Sequence, residues 1–307
     1  MKKWHKITLS IIGTIVLVGA YLFLYEPRYD GPLVVDGTTR VFAHRGFGLY
    51  APDNSLLGVE RALEKRMDGV DVDGQITVDG ELIIYHDLSV DRLTDGTGKV
   101  AAKTLAEMQS LDLGPHFDPS LTGAYVTTFE EFLTTINGTA GFMVELKVPT
   151  TAPTGIEERA IEIIRKHNAY DWVYLSSFNP LVIYRLEKIE PRVNTMLIFM
   201  DTNWSPALLA EIPDPADRVD LPWALRQEPI RRAIRKIVKP DLLSVNHEVN
   251  AATRARLIEK GWPVFLWTPN DAASINAALV QHPYGVITDE PLLGKELRNT
   301  EAARASN

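Results

Sequence analysis

The sequence predicts an α/β barrel in which parallel strands alternate with helices around a closed sheet. Short apolar runs rich in Val and Ile are separated by segments whose apolar residues recur at helical spacing, a pattern typical of a parallel sheet covered by helices. Ionisable residues follow many of these runs at their carboxyl ends, where a barrel places its functional groups. The length of 307 residues is common for a single barrel of this kind.

Nine apolar runs are candidate strands, one more than an eight-stranded barrel requires. They are Arg40–His44, Gly69–Asp73, Leu82–His86, Phe142–Lys147, Val173–Ser177, Thr195–Phe199, Leu242–Val245, Val264–Trp267 and Gly285–Thr288. Helical spacing is clearest in Ser55–Lys65, Ile156–His167, Pro180–Ile189 and Ala251–Lys260. The pattern does not say which candidate strand lies outside the barrel.

The connection between two of these runs is unusually short. Twelve residues separate Asp73 from His86, too few for a helical crossover between parallel strands. Within them, Val78-Asp79-Gly80 is a turn signal. We therefore expect the chain to drop back after Asp73, turn at Asp79-Gly80 and rise again, so that His86 reaches the same face of the barrel.

The N-terminal segment is predicted to be a membrane anchor. Lysines at positions 2, 3 and 6 precede an uncharged run of nineteen residues, Ile7–Tyr25, long enough to cross a hydrocarbon core of about 30 Å. The run lacks the small-residue cleavage site of a signal peptide, so we expect an uncleaved transmembrane helix with a cytoplasmic N-terminus. The chain then divides into a stub and anchor (1–30), a barrel (31–293) and a loosely ordered polar tail (294–307). The barrel would lie outside the cytoplasm, at the periplasmic face of the inner membrane in a bacterium.

Composition excludes several classes of function. The net charge of -8 and the pI of about 5.4 argue against nucleic acid as the main partner. The sequence contains no cysteine, which excludes disulfides, thiolate metal sites and cysteine nucleophiles. No feature of the sequence implies a protein partner.

Three carboxylates at the ends of candidate strands form a candidate metal site. Asp71 and Asp73 are two residues apart, so they point to the same side of a regular strand, and Glu145 ends another apolar run. If the sheet closes, the three converge, and oxygen ligands alone suit Mg²⁺ or Ca²⁺ rather than zinc. The alternative is a set of exposed acidic residues on an edge strand.

Two histidines and two permanent cations are predicted at the same face. His44 and His86 each follow an apolar run and could act as metal ligands or as an acid–base pair. Since the carboxylates already provide a metal site, we favour acid–base catalysis, for which a pKa of about 6.5 is suited; the sequence does not assign the base and the acid. Arg45 and Lys147 are suited to binding a phosphate. These residue types predict metal-assisted cleavage of a phosphodiester.

A series of short motifs occurs in order between Val41 and Pro291. They are His44-Arg45-Gly46, Pro52-Asp53-Asn54, Gly69-Val-Asp-Val-Asp73, Thr77-Val-Asp-Gly80, Tyr85-His86-Asp87, Asp91-Arg-Leu-Thr-Asp-Gly-Thr-Gly98, Glu145-Leu-Lys147, Ser176-Ser-Phe178, Trp267-Thr-Pro-Asn270 and Gly285-Val-Ile-Thr-Asp289. Together they resemble the glycerophosphodiester phosphodiesterase family, whose fold is a TIM-type (β/α)8 barrel. The resemblance implies metal-dependent hydrolysis of a glycerophosphodiester to glycerol 3-phosphate and an alcohol. It assigns acid–base roles to His44 and His86, metal binding to Asp71, Asp73 and Glu145, and phosphate binding to Arg45 and Lys147.

The sequence departs from the family pattern at three positions. Asp71 and Asp53 stand where Glu is usual, and Val78 stands where Lys is usual. The shorter Asp71 is expected to tighten the metal site or to change its preference. Asp53 and Asn54 are interpreted as supporting residues or as the start of a helix.

Two further features leave alternatives open. Trp267 could stack on the substrate or could pack as a core residue at the rim. The basic segment Pro222–Pro240 is typical of a solvated helix, and it could also lie against anionic lipid.

The activity itself has alternatives. A lysophospholipase D acting on lysophospholipids would suit a protein held at a bilayer. Phospholipase C-like cleavage of an inositol lipid fits the motifs less well. A membrane-tethered phosphodiester-binding protein without turnover is the non-enzymatic alternative.

Overall fold

The computed structural model describes residues 2–33, 35–202 and 220–305, together with positions 206, 209, 215 and 218. Nine strands form one sheet, and pairing between its first and second strands in chain order closes it into a barrel. The strands are β1 (Arg40–Ala43), β2 (Gly69–Ile76), β3 (Leu82–Ile84), β4 (Gly141–Leu146), β5 (Val173–Ser177), β6 (Asn194–Phe199), β7 (Leu242–Asn246), β8 (Val264–Trp267) and β9 (Gly285–Thr288). All pairings are parallel except that of β2 with β3, so the predicted α/β barrel is confirmed.

The extra strand is β3, and it runs in an unexpected direction. It pairs antiparallel with the end of β2, with Gly74 opposite Ile84 and Ile76 opposite Leu82. The prediction that the chain drops back after Asp73 was therefore wrong. The chain continues upward to Ile76, turns above the barrel and returns, because β2 is long enough to offer a free edge for an antiparallel partner.

Helices cover the outside of the barrel. They are α1 (Lys2–Phe23), α2 (Leu56–Glu64), α3 (Leu105–Gln109), α4 (Gly114–Phe117), α5 (Phe129–Ile136), α6 (Ile156–His167), α7 (Pro180–Ile189), α8 (Glu228–Val238), α9 (Ala251–Glu259), α10 (Ala272–Leu279) and α11 (Pro291–Ala305). The helix after β1 begins at Ser55, whose hydroxyl accepts the Gly58 N–H at 3.1 Å. Asp53 and Asn54 are therefore not its capping residues.

The lower part of the barrel interior is filled by aromatic side chains. Phe42 packs edge-on against Phe265 with ring centroids 4.8 Å apart, and both belong to one buried cluster. A Cβ atom at Gly69 or Gly141 would come within 2.4 or 2.5 Å of the Phe42 ring, so only glycine fits beside it. The lower interior therefore has no room for a ligand, and a site must lie above it.

Residues 85–128, between β3 and α5, form a small insertion with its own apolar cluster. Its buried members include Val90, Met108 and Val126, and the cluster shares Ile83 and Tyr85 with the β3 region. An isolated antiparallel β-bridge between Ile83 and Thr128 connects the end of this segment to β3. Hereafter we call residues 85–128 the insertion.

Among the described residues, no helix is long and apolar enough to cross a membrane. The transmembrane helix predicted within residues 1–30 is therefore not supported.

The end of α1 is instead attached to the barrel. Glu26 is buried and binds the guanidinium groups of Arg232 and Arg235 on α8. Arg232 also donates to the carbonyls of Phe23 and Leu24 at 2.7 and 2.9 Å. These carbonyls lie at the C-terminal end of a helix, where cations are favoured. We call this arrangement the Glu26 clamp.

The clamp changes the interpretation of the basic segment Pro222–Pro240. Arg231 is buried and donates to the Met200 carbonyl and to Asp201, at 3.0 and 2.7 Å. With Arg232 and Arg235 also paired inside the protein, these cations face carboxylates and carbonyls rather than solvent or lipid.

Most of the predicted polar tail is helical. Residues 294–305 belong to α11, and Leu297 packs on the main core. Arg298 pairs with Asp68, whose carboxylate accepts the Val41 N–H at 2.7 Å, and Lys295 donates to two backbone carbonyls just after α2. These contacts attach this part of α11 to the barrel, and residues 306 and 307 lie outside the described part of the chain.

We expect Glu26→Ala to lower the free energy of unfolding by about 3 kcal/mol, since it removes the buried carboxylate shared by Arg232 and Arg235 and leaves the fully buried Arg235 with Glu228 alone. Urea denaturation of the full chain measures this change. The control is Asp36→Ala, which removes an exposed ion pair with Arg40 and should cost less than about 1 kcal/mol. Equal losses in the two variants would contradict the clamp.

Candidate active site

The predicted functional residues meet at the carboxyl ends of the barrel strands. His44 follows β1, Asp71 and Asp73 lie in the middle of β2, and Glu145 lies near the end of β4. The antiparallel β3 delivers His86 to the same end, where the Tyr85 N–H bonds to the Asp73 carbonyl at 2.7 Å. Closure of the barrel therefore gathers residues that are up to a hundred positions apart.

His44 is held by a carboxylate from the neighbouring strand. Its Nδ1 lies 2.7 Å from Oδ1 of Asp289, the residue after β9. Asn270 binds Asp289 through both its amide nitrogen and its carbonyl oxygen, the latter accepting the Asp289 N–H at 2.9 Å. Burial opposes ionisation of Asp289, but the neighbouring His44 and Arg45 lower its pKa to about 2. Asp289 is therefore an anion that orients the His44 ring.

Arg45 occupies a tight turn at the mouth of the barrel. Its φ of 49° lies in the left-handed region, which a residue with a long side chain rarely adopts. The turn aims the buried guanidinium inward, where Nη1 donates to Asp53 Oδ2 at 3.0 Å and Nη2 lies 3.1 Å from His86 Nε2. Asp53, interpreted from the sequence as a supporting residue, thus orients the predicted phosphate-binding cation.

His86 is neutral at pH 7 and has a defined tautomer. Burial first, and then the charges of Arg45 and Lys147, lower its pKa to about 4. A guanidinium can only donate, so His86 Nε2 accepts from Arg45, and Nδ1 carries the proton that is shared with Asp87 at 2.6 Å. Arg92 in turn donates two hydrogen bonds to the Asp87 carboxylate, at 2.7 and 2.9 Å. His86 therefore presents a lone pair on Nε2.

Gln75 fixes the backbone that carries His86. Its side-chain amide donates to the carbonyls of Tyr85, His86 and Asp87 at 2.9, 3.2 and 2.7 Å. The side chain is buried, so these contacts are shielded from water. Gln75 therefore positions the backbone of His86.

The acidic residues and Lys147 form one cluster, in which Asp73 is buried and the other side chains are half-buried. Asp73 and Glu145 are partners across the β2–β4 pairing, and Lys147 Nζ lies 3.1 Å from Asp73 and 3.4 Å from Glu145. Asn54 holds the other oxygen of Asp73 at 2.9 Å and accepts its N–H at 3.0 Å. Burial opposes ionisation of Asp73, yet Lys147 and the neighbouring cations hold its pKa well below the usual range. For Asp71, burial together with the charges of Asp73 and Glu145 outweighs the opposing charges of His44 and Lys147 and raises its pKa to about 8.

The donor chemistry of this cluster fits a hard divalent cation. It offers carboxylate oxygens, the ligands that such cations prefer, and burial with the neighbouring carboxylates raises the pKa of Asp71, so an added positive charge would favour its ionised form. Within the described part of the chain, no three His, Asp or Glu side chains are arranged as a metal-binding group. Lys147 provides the cation between Asp73 and Glu145 in this conformation.

Trp267 lies at the rim formed by β8. Its ring meets Phe178 edge-on with centroids 5.7 Å apart, so the packing alternative has direct support. Its buried Nε1 has no hydrogen-bond partner among the described residues. The stacking role predicted for Trp267 stays a prediction.

Several positioning residues were not assigned roles from the sequence. They are Gln75, Asp87, Arg92, Asn270 and Asp289. Four of them lie within the motifs quoted above, and their place in those motifs could have indicated a role at the site. Gln75 follows Asp73 with the spacing of two that marks a common strand face, a signal that could have identified it.

The geometry supports proton transfer beside an anionic substrate. Each catalytic candidate, His44 and His86, has its Nδ1 on a carboxylate, so Nε2 is the nitrogen that could face a reacting group, and in His86 it accepts from Arg45. Arg45 and Lys147 supply positive charge on two sides of the same mouth.

We expect His86 to stay neutral, with the proton on Nδ1, as the pH falls from 8 to about 4, because protonation would place a charge beside Arg45 in a buried site. Nitrogen-15 NMR titration of histidine-labelled protein measures the tautomer and the pKa. His86→Gln identifies the signal. A His86 pKa near the ordinary 6.5, or a proton on Nε2, would contradict this electrostatic description.

The glycerophosphoryl diester phosphodiesterase family model matches residues 44–293. A glycerophosphodiester phosphodiesterase of Caldanaerobacter subterraneus is 30% identical over 257 residues, covering 82% of this chain and 95% of the relative. A glycerophosphodiester phosphodiesterase of Bacillus subtilis is 32% identical over 213 residues, covering 64% of this chain and 71% of the relative.

Solved structures share the fold. A putative glycerophosphoryl diester phosphodiesterase from Silicibacter pomeroyi superimposes with a TM-score of 0.69 at 20% identity, covering 86% of this chain and 94% of that one. An Oleispira antarctica phosphodiesterase in complex with the product sn-glycerol-3-phosphate gives a TM-score of 0.69 at 22% identity, covering 85% and 97%. The resemblance and the assignment as an enzyme of this class, both made from the sequence, are confirmed. The chain belongs to the glycerophosphoryl diester phosphodiesterase family.

Proposed function

We propose that this protein hydrolyses a glycerophosphodiester to glycerol 3-phosphate and an alcohol. The observation that carries the proposal is the contact between Arg45 and His86, which joins a phosphate-binding cation to a neutral imidazole at 3.1 Å. The named activity of the Caldanaerobacter and Bacillus relatives, and the product held by the Oleispira enzyme, support the same reaction for this chain.

Binding of the substrate would release the base. Arg45 donates to His86 Nε2 in the structure, and a phosphoryl oxygen is a stronger acceptor for that guanidinium than a neutral imidazole. Transfer of Arg45 to the phosphate frees the His86 lone pair beside the bound diester. His86 then accepts the proton of the attacking water, or of the glycerol hydroxyl, whose attack would give a cyclic phosphate that water must then open to glycerol 3-phosphate.

His44 would serve as the acid. Its Nδ1 bond to the Asp289 carboxylate stabilises an imidazolium, so a proton can be held on Nε2 and given to the leaving alcohol. Lys147 and Arg45 stabilise the charge on the phosphoryl oxygens during this transfer. Both histidines bind a carboxylate through Nδ1, but His86 is also buried against the Arg45 guanidinium, which disfavours its protonation.

A divalent cation, Mg²⁺ or Ca²⁺, is proposed to bind Asp71, Asp73 and Glu145. When bound it would supply positive charge to the phosphoryl group, and it would allow Asp71 to ionise. Activity on lysophospholipids, binding to lipid and a location outside the cytoplasm stay predictions from the sequence.

We expect alcohol release from glycerophosphocholine to require Mg²⁺ or Ca²⁺ and to stop in EDTA, measured with the full chain. His44→Ala and His86→Ala should each lower kcat by about 10²–10⁴-fold, the usual effect of removing an acid–base group. The matched control is His282→Asn at an exposed turn just before β9, far from the strand ends that carry the site, and it should retain full activity.

Lysophosphatidylcholine in a parallel assay decides between the two substrate classes. A preference for it would favour lysophospholipase D activity. Full activity in either catalytic variant would contradict the two-histidine mechanism. Binding of both substrates without release of alcohol would favour a binding protein.

A further inference from the structure

Lys147 bridges two of the carboxylates to which a divalent cation is proposed to bind. Its ammonium nitrogen lies 3.1 Å from Oδ1 of Asp73 and 3.4 Å from Oε2 of Glu145. The two carboxylates occupy paired positions on the neighbouring strands β2 and β4, so the register of the sheet sets the gap between them. In the structure, this gap is occupied by the lysine.

The other oxygen of Asp73 already has a firmly held partner. Asp73 Oδ2 accepts from the side-chain amide of Asn54 at 2.9 Å, and the side-chain carbonyl of Asn54 accepts the Asp73 N–H at 3.0 Å. The Asn54 N–H also donates to the Arg45 carbonyl at 2.8 Å. Since three hydrogen bonds fix Asn54, the oxygen of Asp73 that can be released for a metal ion is Oδ1, which Lys147 holds.

Lys147 is also the easier of these two partners to displace. Its N–H is fixed on the Gly74 carbonyl at 3.0 Å, but its ammonium group stands at the end of a flexible four-carbon stem. The side chain keeps 16% of its surface exposed, whereas Asn54 is almost fully buried. Movement of the ammonium group therefore disturbs fewer buried contacts than movement of Asn54.

The lysine and a divalent cation are competitors for the gap. Oxygen ligands lie about 2.0–2.6 Å from Mg²⁺ or Ca²⁺, closer than the ammonium nitrogen lies to either carboxylate. An ion bound by Asp73 Oδ1 and Glu145 would therefore be a direct neighbour of the ammonium group. Like charges at such short range repel strongly, above all in a partly buried site.

We propose that Lys147 competes with the divalent cation for Asp73 and Glu145, and that occupation of the metal site transfers its ammonium group from these carboxylates to the phosphate. The inference rests on the cation site of the proposed function and adds a role for Lys147 in the metal-free protein, where it neutralises the paired carboxylates. Arg45, the other proposed phosphate-binding cation, lies at the same mouth. Metal and phosphate then bind cooperatively, because the first releases a cation that binds the second.

Calorimetric titration of Ca²⁺ into the metal-free full chain tests the competition. Lys147→Gln should bind Ca²⁺ about tenfold more tightly than wild type, because the competing cation is gone. The matched control is Arg45→Gln, which removes a cation that is held by Asp53, outside the gap between β2 and β4. It should change the affinity less than about threefold. Equal tightening in both variants, or none in Lys147→Gln, would overturn the proposal.

Nitrogen-15 NMR of lysine ammonium groups gives a readout on wild type that does not depend on the stability of Lys147→Gln. In EDTA, the ion-paired Lys147 should give a slowly exchanging signal, which is assigned by its absence in Lys147→Arg. Saturation with Ca²⁺ should shift or remove this signal. A signal that stays unchanged would contradict the transfer.

Titration of glycerol 3-phosphate tests the second half of the proposal. Lys147→Gln should weaken its binding about fivefold in Ca²⁺ but less than about twofold in EDTA, where the wild-type ammonium group is held by the carboxylates. Equal weakening under both conditions would overturn the transfer.

These measurements need no turnover, so they separate this inference from the proposed function. If wild type binds Ca²⁺ but releases no alcohol from any substrate, the proposed hydrolysis fails and the competition is judged by the affinities alone. Failure of Ca²⁺ to bind to any of the three proteins would overturn the inference, whatever the activity.

Discussion

The register between β2 and β4 is the constraint on which the site depends. It places Asp73 directly opposite Glu145 at the top of the barrel, with Asp71 one pleat below on the same face. Buried carboxylates this close repel one another unless cations or hydrogen-bond donors lie between them. Lys147, two residues beyond Glu145, and Asn54, from the loop after β1, meet that requirement for Asp73. The loop that carries Asn54 also carries Arg45 and Asp53. The contact between Asn54 and Asp73 therefore helps to fix the position of this loop at the barrel mouth.

The division of the barrel interior follows from residue size. Phe42 and Phe265 fill the lower interior, and glycines on β2, β4 and β9 make room for their rings. The apolar floor excludes water from beneath the carboxylates, which strengthens every charge interaction above it. The same exclusion raises the pKa of Asp71 and lowers that of His86, so packing below the site sets protonation within it.

The fold and the positions of the candidate residues could be predicted because both depend on local patterns. These patterns are the apolar runs of the strands, the helical spacing between them and the ionisable residues at the strand ends. Strand ends were correct to within three residues, and each predicted site residue lies at the predicted end of the barrel. The direction of β3 could not be predicted, because a turn signal gives no information on which strand edge is free. The Glu26 clamp could not be predicted either, because it joins residues that are 209 positions apart. The sequence of a basic amphipathic helix is equally compatible with solvent, lipid or a buried carboxylate as its surroundings. Likewise, the pairing of His44 with Asp289 requires barrel closure.

In the proposed mechanism, in which His86 is the base, Arg45 connects the pKa of His86 to substrate binding. A desolvated imidazole beside a guanidinium is neutral, as a general base must be, but its lone pair is occupied by that same guanidinium. Only an anion that competes for Arg45 can release it. Asp53 keeps the guanidinium in place throughout, since its contact is made by the other nitrogen, Nη1. The base would therefore become available only when a phosphate occupies the site, and a separate conformational change of the fold is not needed to couple the two events.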